Sequence, residues 1–392
     1  MPRAAGPGGL IAMPVAADIR ANPPIARRAP ETRMHAPAGA GNYETDTVRD
    51  REWDDIVAGF EDVSFEQTAA YSRARWGAQK TSHLLVREGG AVVSGARVVE
   101  ITIPGLRKGL AYVKFGPLWR RRNRSADPKA YVCALEALAG EYCERRGLLL
   151  SILPRPNPEF GALEQTMLEA NGFVNRRPYA DPERYLVDLS LDEEAQAASL
   201  GQRWRRNLKK SAASNLDIGL AAGADAHRRF RALHAHMVGR KNAAHGDAID
   251  HLPGLRKDLP EALAPKIVIA SRGGEPVAGA VVALHGDTAY YVYGATSEKA
   301  LPLRAGFALQ WWIVRWASDL GLRWYDLGGN AGDGGLKQFK TGLAGRRGAI
   351  VQMPGEYDRW SRGGDRLAAD ALFAARALSR QAARLRALRF RR

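Results

Sequence analysis

The chain is poor in cysteine: only Cys133 and Cys143 occur in 392 residues. They fall ten residues apart on one predicted helix, a separation that helix geometry does not allow a disulfide to bridge. Reduced thiols are therefore expected. Long apolar runs are also missing, and none approaches the roughly 20 residues of a membrane span. The N-terminal Gly9-Leu10-Ile11-Ala12-Met13 stops at Pro14, too short for a secretory h-region. Together these absences predict a cytoplasmic protein. The histidines His227, His234, His236, His245 and His251 contain no His-Glu-x-x-His pair and have no Cys or carboxylate at ligand spacing, so no metal site is predicted. No Ser or Cys nucleophile elbow is present either.

What is present in excess is positive charge, +16 overall. Residues 357–392 hold ten Arg against three Asp, while residues 1–44 hold five Arg against three acids. The part between them is still basic. Such a balance suits an anionic partner, whether RNA, a phosphorylated metabolite or an anionic lipid surface. A general arginine bias in the source would produce the same counts.

Two stretches of the chain repeat one another. Leu84-Leu85-Val86-Arg87-Glu88-Gly89-Gly90-Ala91-Val92-Val93 lines up with Val268-Ile269-Ala270-Ser271-Arg272-Gly273-Gly274-Glu275-Pro276-Val277. Each reads as strand, Gly-Gly turn and strand. Ala111-Tyr112-Val113-Lys114-Phe115-Gly116 and Ala289-Tyr290-Tyr291-Val292-Tyr293-Gly294 supply a third strand, and an apolar helix and a fourth strand follow in both copies. The period is too long for a solenoid, so this is a duplicated domain. Residues 1–44, rich in Pro, Ala, Gly and Arg, read as disordered. The first domain is placed at 45–190, with helices at Phe65–Gly77, Pro128–Arg146 and about Glu159–Ala170 and a closing strand at Tyr185–Leu189. The second, at 191–355, has helices at Leu200–Ser214, Ala226–Arg240 and Arg304–Asp319, a strand at Leu216–Leu220 and a loop at 242–264. The Trp-rich helix 304–319 is apolar on nearly every face and is expected to be buried. Residues 356–392 read as a basic amphipathic helix, with Leu367, Ala371, Ala374 and Leu378 on one stripe.

Two β-β-β-α-β units make this an α/β (α+β) chain of tandem GNAT-like N-acyltransferase domains with mixed sheets, plus that C-terminal helix. Four stretches carry a narrower resemblance. They are Trp204-Arg205-Arg206-Asn207-Leu208-Lys209-Lys210, Leu233-His234-Ala235-His236-Met237-Val238-Gly239-Arg240-Lys241, Tyr290-Tyr291-Val292-Tyr293-Gly294-Ala295, and Tyr325-Asp326-Leu327-Gly328-Gly329 leading to Gly335-Leu336-Lys337-Gln338-Phe339-Lys340-Thr341-Gly342-Leu343. In this order and spacing they resemble the Fem family of peptidyltransferases over roughly residues 50–350. The resemblance implies transfer of an aminoacyl group from aminoacyl-tRNA to an amine of a peptidoglycan precursor, without a further cofactor. It implies that Lys340 is catalytic. A fixed cation stabilises the oxyanion of a tetrahedral intermediate, although a surface Lys opening a short helix is the plain alternative. It also implies that Arg240 holds a phosphate or carboxylate of the acceptor through its planar fork; a cation ending a helix also needs no ligand. Tyr112, by the resemblance an acceptor contact and otherwise a packing residue of its strand, joins Tyr293 and Phe339 in the substrate-binding set, and Asp326 is either a polar cleft residue or a turn former.

After Gly116-Pro117 the family often has an acidic residue. Here Leu118-Trp119-Arg120-Arg121-Arg122 follows, which leaves any general base and the acceptor open. The basic helix face of Arg203, Arg205, Arg206, Lys209 and Lys210, with Trp204 interleaved, is read as tRNA-binding or as a solvated face. Two other functions stay open. An acyl-CoA-dependent N-acyltransferase would need a backbone-amide loop for the pyrophosphate, which Ala300-Leu301-Pro302-Leu303-Arg304-Ala305-Gly306 does not resemble. A non-catalytic module of an envelope polysaccharide system is the third. The late C-terminal helix is expected to lie on tRNA or on the inner face of the membrane, or to be solvated. A monomer is expected.

Overall fold

The computed structural model describes residues 43–179, 182–241, 252–330 and 332–375. The segment predicted to be disordered lies almost wholly outside these residues, as does the Arg-rich end of the predicted C-terminal helix.

The first elements are β1 (Tyr43–Thr45), α1 (Asp50–Val57), α2 (Ala69–Trp76), β2 (Thr81–Glu88), β3 (Ala91–Ile103), β4 (Lys108–Lys114) and α3 (Pro128–Leu138). They are followed by β5 (Leu149–Leu153), α4 (Gly161–Ala170) and β6 (Val174–Arg177). Next come β7 (Glu183–Asp188), α5 (Glu193–Ser199), α6 (Gln202–Ala212), β8 (Asp217–Ala221), α7 (Gly223–Lys241) and α8 (Leu252–Asp258). The repeat then returns as β9 (Lys266–Arg272), β10 (Glu275–His285), β11 (Thr288–Thr296), α9 (Ala305–Asp319) and β12 (Trp324–Asp326). The last elements are α10 (Gly334–Ala344), β13 (Ala349–Gln352), β14 (Glu356–Arg359) and a helical stretch over 363–375.

Both Gly-Gly turns form. Gly89 and Gly90 have φ of 56° and 82°, and Gly273 and Gly274 have 57° and 80°. Positive φ at both central residues matches the twist of the flanking strands, and glycine alone adopts it without strain.

The strands build two seven-stranded mixed sheets, ordered β1-β2-β3-β4-β5-β14-β6 and β13-β7-β12-β11-β10-β9-β8. Within the described residues, one compact unit comprises 43–155, 160–177 and 354–375, and the other 156–159 and 178–353. Each sheet thus takes a strand from beyond its own run of sequence. The predicted closing strand of the first domain, β7, pairs instead with β12 and β13 in the second sheet. There Tyr185 and Val187 are fully buried in the core with Tyr325. Conversely β14, expected as the start of the C-terminal helix, lies between β5 and β6 in the first sheet. Its Tyr357 joins the first core, and its buried Asp358 is faced by Arg176 and Arg177.

Three further expectations are adjusted. The predicted helix 128–146 is α3 continued by a π-helical turn at Ala139–Arg145. The predicted loop 242–264 contains α8. Helix α9 buries Leu309, Ile313 and Val314, but Trp311, Trp312 and Trp316 are only half-buried.

The two units differ where parallel strands meet. In the first sheet β4 and β5 stay paired from Leu110↔Leu149 to Lys114↔Leu153, and the Phe115 amide still donates to Leu153 O at 2.7 Å. In the second sheet the β11–β12 ladder holds only Thr288↔Trp324, Ala289↔Tyr325 and Tyr290↔Asp326. Beyond Tyr290 the chain after β12 turns away at Leu327-Gly328-Gly329 while β11 runs on to Thr296. This unit alone has its parallel pair splayed, and ligands of open α/β sheets bind at such carboxyl ends.

Candidate active site

A buried ion pair lies where β12 ends. Asp326 ends β12, and Arg184 of β7 forks its carboxylate, with Nε 3.1 Å from both oxygens and Nη2 2.7 Å from Oδ2. The same carboxylate accepts the Gly328 amide at Oδ1, 2.8 Å away. Gly328 has φ of 76°, a conformation that L side chains resist. Two more side-chain caps follow along the turn: Asn330 Oδ1 accepts the Gly332 amide at 2.8 Å, and Asp333 Oδ1 caps α10 by accepting the Leu336 amide at 2.9 Å. Asp326 is therefore a turn former locked in an ion pair, one of the two roles its sequence position left open.

That turn wraps Lys340. Rising from α10 and 4% exposed, Lys340 donates from Nζ to the carbonyls of Leu327 and Gly329. A strand-end turn thus fixes an ammonium at the mouth of the splay, in a place largely withdrawn from water, where a cation acts most strongly. Its neighbour Phe339 is half-buried in an aromatic trio, with ring centroids 5.6 Å from Trp204 and 5.0 Å from Phe307.

Tyr293 goes elsewhere. In the β10–β11 ladder Val281 faces Tyr293 and Val282 faces Tyr291, so Val292 is an extra residue in β11. This bulge turns Tyr293 to the side of α7, where it packs with Phe230, Leu233 and Met237. Tyr291 takes the α9 and α10 side instead. There Tyr325 Oη donates to Gln310 Oε1 at 2.8 Å, and the Tyr291 and Tyr325 rings lie 6.5 Å apart. Burial pushes both phenols up, which keeps them neutral. Bulges re-aim side chains in this way, and period-two reading of the strand misses it. Arg240 is the penultimate residue of α7, the helix that covers the Tyr293 face. Tyr112 belongs to the other unit, on β4, where its hydroxyl donates to Glu356 Oε1 at 3.1 Å.

Residues 194–341 match the family model described as an acetyltransferase (GNAT) domain. Among solved structures, FemX shares the fold with a TM-score of 0.65 at 15% identity, over 80% of this chain and 96% of that one. The C-terminal domain of a protein described as a lysylphosphatidylglycerol synthetase from Agrobacterium fabrum follows at 0.52 and 15%, over 83% and 96%. A conserved protein of unknown function from Bacteroides thetaiotaomicron gives 0.54 and 12%, over 80% and 98%. No curated relative matches the sequence. Residues 194–341 thus match a GNAT domain, and the chain shares its fold with FemX.

The matched GNAT segment contains Lys340, Phe339, Asp326, Tyr293, Arg240 and all of α6, but neither Tyr112 nor β7. Yet β7 gives this GNAT sheet a polar cluster that motif reading overlooked. Glu183 accepts from Tyr185 Oη at 2.5 Å and from Lys337 Nζ at 3.0 Å. Asn330 Nδ2 donates to Tyr185 Oη at 2.9 Å. The Tyr185 bond first, and Lys337 next, hold the Glu183 carboxyl below its usual range. Burial and then Glu183 push Tyr185 up to about 12. The strand expected at Tyr185–Leu189 left Glu183 out and was placed in the first domain, so this cluster carried no signal there.

The GNAT domain's basic helix α6 exposes Arg203, Arg205, Arg206, Lys209 and Lys210. Trp204, expected among them as an interleaved aromatic, is 2% exposed and packs into the core; spaced with Asn207 and Ser211, it lies on the buried face of the helix. Arg203 Nη1 donates to Gln338 Oε1 at 2.7 Å, which ties the basic face to α10. Among the described residues no helix is long and apolar enough to cross a membrane.

Proposed function

We propose that this acyltransferase moves an aminoacyl group from aminoacyl-tRNA to an amine of a cell-envelope precursor, in the manner the Fem resemblance implies for peptidoglycan. One observation carries the reading: the buried Lys340 ammonium stands at the mouth of the one splayed parallel strand pair, on the helix bonded to basic α6. In the reaction the acceptor amine attacks the ester carbonyl, forming an N–C bond and an oxyanion. Lys340 stabilises that oxyanion. As the ester C–O bond breaks, the amine proton ends on the ribose oxygen that leaves. The ester is already activated, so no further cofactor enters. Phe339 and Tyr291 wall the acyl side, with Tyr325 buried behind Tyr291, while Arg240 and Tyr293 serve the acceptor from the α7 side. Such an enzyme works in the cytoplasm, at the inner face of the membrane where lipid-linked precursors reside.

An acyl-CoA donor is the second reading, favoured by the acetyltransferase family match and by a pocket of about 410 Å³ that includes Arg272 and Lys299. Against it, Glu275 neutralises Lys299 at 2.7 Å, and Pro302 and Leu303 also line the pocket. Incubation with radiolabelled aminoacyl-tRNA pools or with acetyl-CoA, each against envelope precursors, separates the two. Label transferred only from aminoacyl-tRNA is expected; transfer only from acetyl-CoA overturns the reading.

A further inference from the structure

We infer that Arg346 and Arg347, in the turn after α10, extend the cationic face of α6 into one surface for an RNA phosphate backbone. The inference rests on the aminoacyl-tRNA reading and assigns residues that no motif marked. Both side chains are exposed. Arg346 Nη2 donates to Ala198 O at 3.0 Å, and Arg205 Nη1 of α6 reaches the same carbonyl at 2.9 Å. Two guanidinium groups from separate elements therefore converge on one neutral acceptor. The Arg347 amide donates to Ser199 Oγ at 3.0 Å, which fixes the turn and leaves its side chain to solvent.

The platform beneath is rigid. The Gly201 amide donates to Gly342 O at 2.9 Å, and a Cβ on Gly201 would lie 3.2 Å from Gly342 Cα, so α6 and α10 pack backbone to backbone. Arg203, Arg205, Arg206, Lys209, Lys210, Arg346 and Arg347 form no ion pair among the described residues. Unneutralised cations at helical i, i+3 and i+4 spacing, about 5–6 Å apart, suit successive phosphates. An anionic membrane fits worse. A helix lying in a headgroup layer presents an apolar face to the lipid, but Trp204 is buried and Leu208 packs on the core, so the outward side of α6 is polar throughout. The surface also follows α10, from Gln338, two residues before Lys340, to the turn beyond Ala344.

The test measures binding of unacylated bulk tRNA to the full chain between 50 and 200 mM KCl, with melting temperature as the folding control. Arg346→Gln/Arg347→Gln is compared with wild type, with Arg347→Gln alone, whose side chain makes no bond among the described residues, and with Arg206→Gln/Lys210→Gln. The slope of log K against log[KCl] is expected to become shallower by about 0.7–0.9 for each phosphate no longer neutralised, in all three variants. If only the α6 variant changes the slope, this inference falls while the tRNA reading stands. If no variant changes it, or wild type binds phosphatidylglycerol vesicles through these residues and not tRNA, both fall.

Discussion

Arg184 and Asp326 form a two-pronged ion pair, buried at the point where β12 ends, and the carboxylate that receives the fork also receives the Gly328 amide. Asp326→Asn keeps size and the turn bond but removes the carboxylate charge that faces the buried guanidinium. Breaking a buried pair from one side costs about 3–5 kcal/mol. The melting temperature of Asp326→Asn is expected to fall by several degrees or more, and Arg184→Met in the same chain should recover part of the loss. A single variant as stable as wild type would show that the pair does not hold the strand end.

Lys340 makes the sharper prediction about chemistry. Lys340→Met removes the charge and retains most of the volume. Turnover with the true substrates is expected to drop on the order of 10²–10³-fold, the effect of losing one oxyanion donor. KM for the donor should change little, because the cation acts on charge that develops after binding. A folded variant with near-normal turnover would remove Lys340 from the reaction.

The duplication, both Gly-Gly hairpins and the strand-end placement of Lys340 were legible, because turn chemistry and period-two patterning are local. The exchange of β7 and β14 was not. Nothing local in Tyr185-Leu186-Val187 states which sheet it joins, and Glu356-Tyr357-Asp358-Arg359 reads as polar until Arg176 and Arg177 are found beside Asp358. The turn of Tyr293 to the α7 side was illegible for a related reason: the extra residue at Val292 is created by pairing with β10 and leaves no mark in composition. Trp204 reads as part of a basic face only when its neighbours are counted without helical spacing.

Gly294 tests the wall of the splay. A Cβ there would lie 1.7 Å from the Tyr291 hydroxyl oxygen, so Gly294→Ala forces the Tyr291 ring out of its place beside Tyr325. Overpacking of this kind costs about 1–3 kcal/mol. Gly294→Ala is expected to lower both melting temperature and kcat/KM, whereas Tyr291→Phe, which keeps the ring in place, should affect kcat/KM much less. The reverse order would assign the hydroxyl, and not the ring, to the function.

In the first unit a buried carboxyl gives the fold a pH dependence. Glu164 accepts from Trp119 Nε1 at 2.9 Å, with Asp62, Arg155, Arg120 and Tyr131 around it. Burial raises its pKa from 4.5 to about 7. A carboxyl held above its unfolded value binds its proton more tightly when folded. Its contribution to stability is thus complete below pH 4.5 and is lost as pH rises through about 7. Asp54 and Asp358, each pushed to about 6 by burial, act in the same direction over a lower window. Glu164→Gln keeps the indole bond and stays neutral at every pH. The stability of the variant relative to wild type should rise by up to about 1.4 kcal/mol per pH unit between pH 4.5 and 7 and level off above it. Denaturant melts at pH 5, 6, 7 and 8 read this difference directly. A difference that stays constant across them would mean that Glu164 is ionised in the folded protein throughout, with Arg120 and Arg155 outweighing its burial.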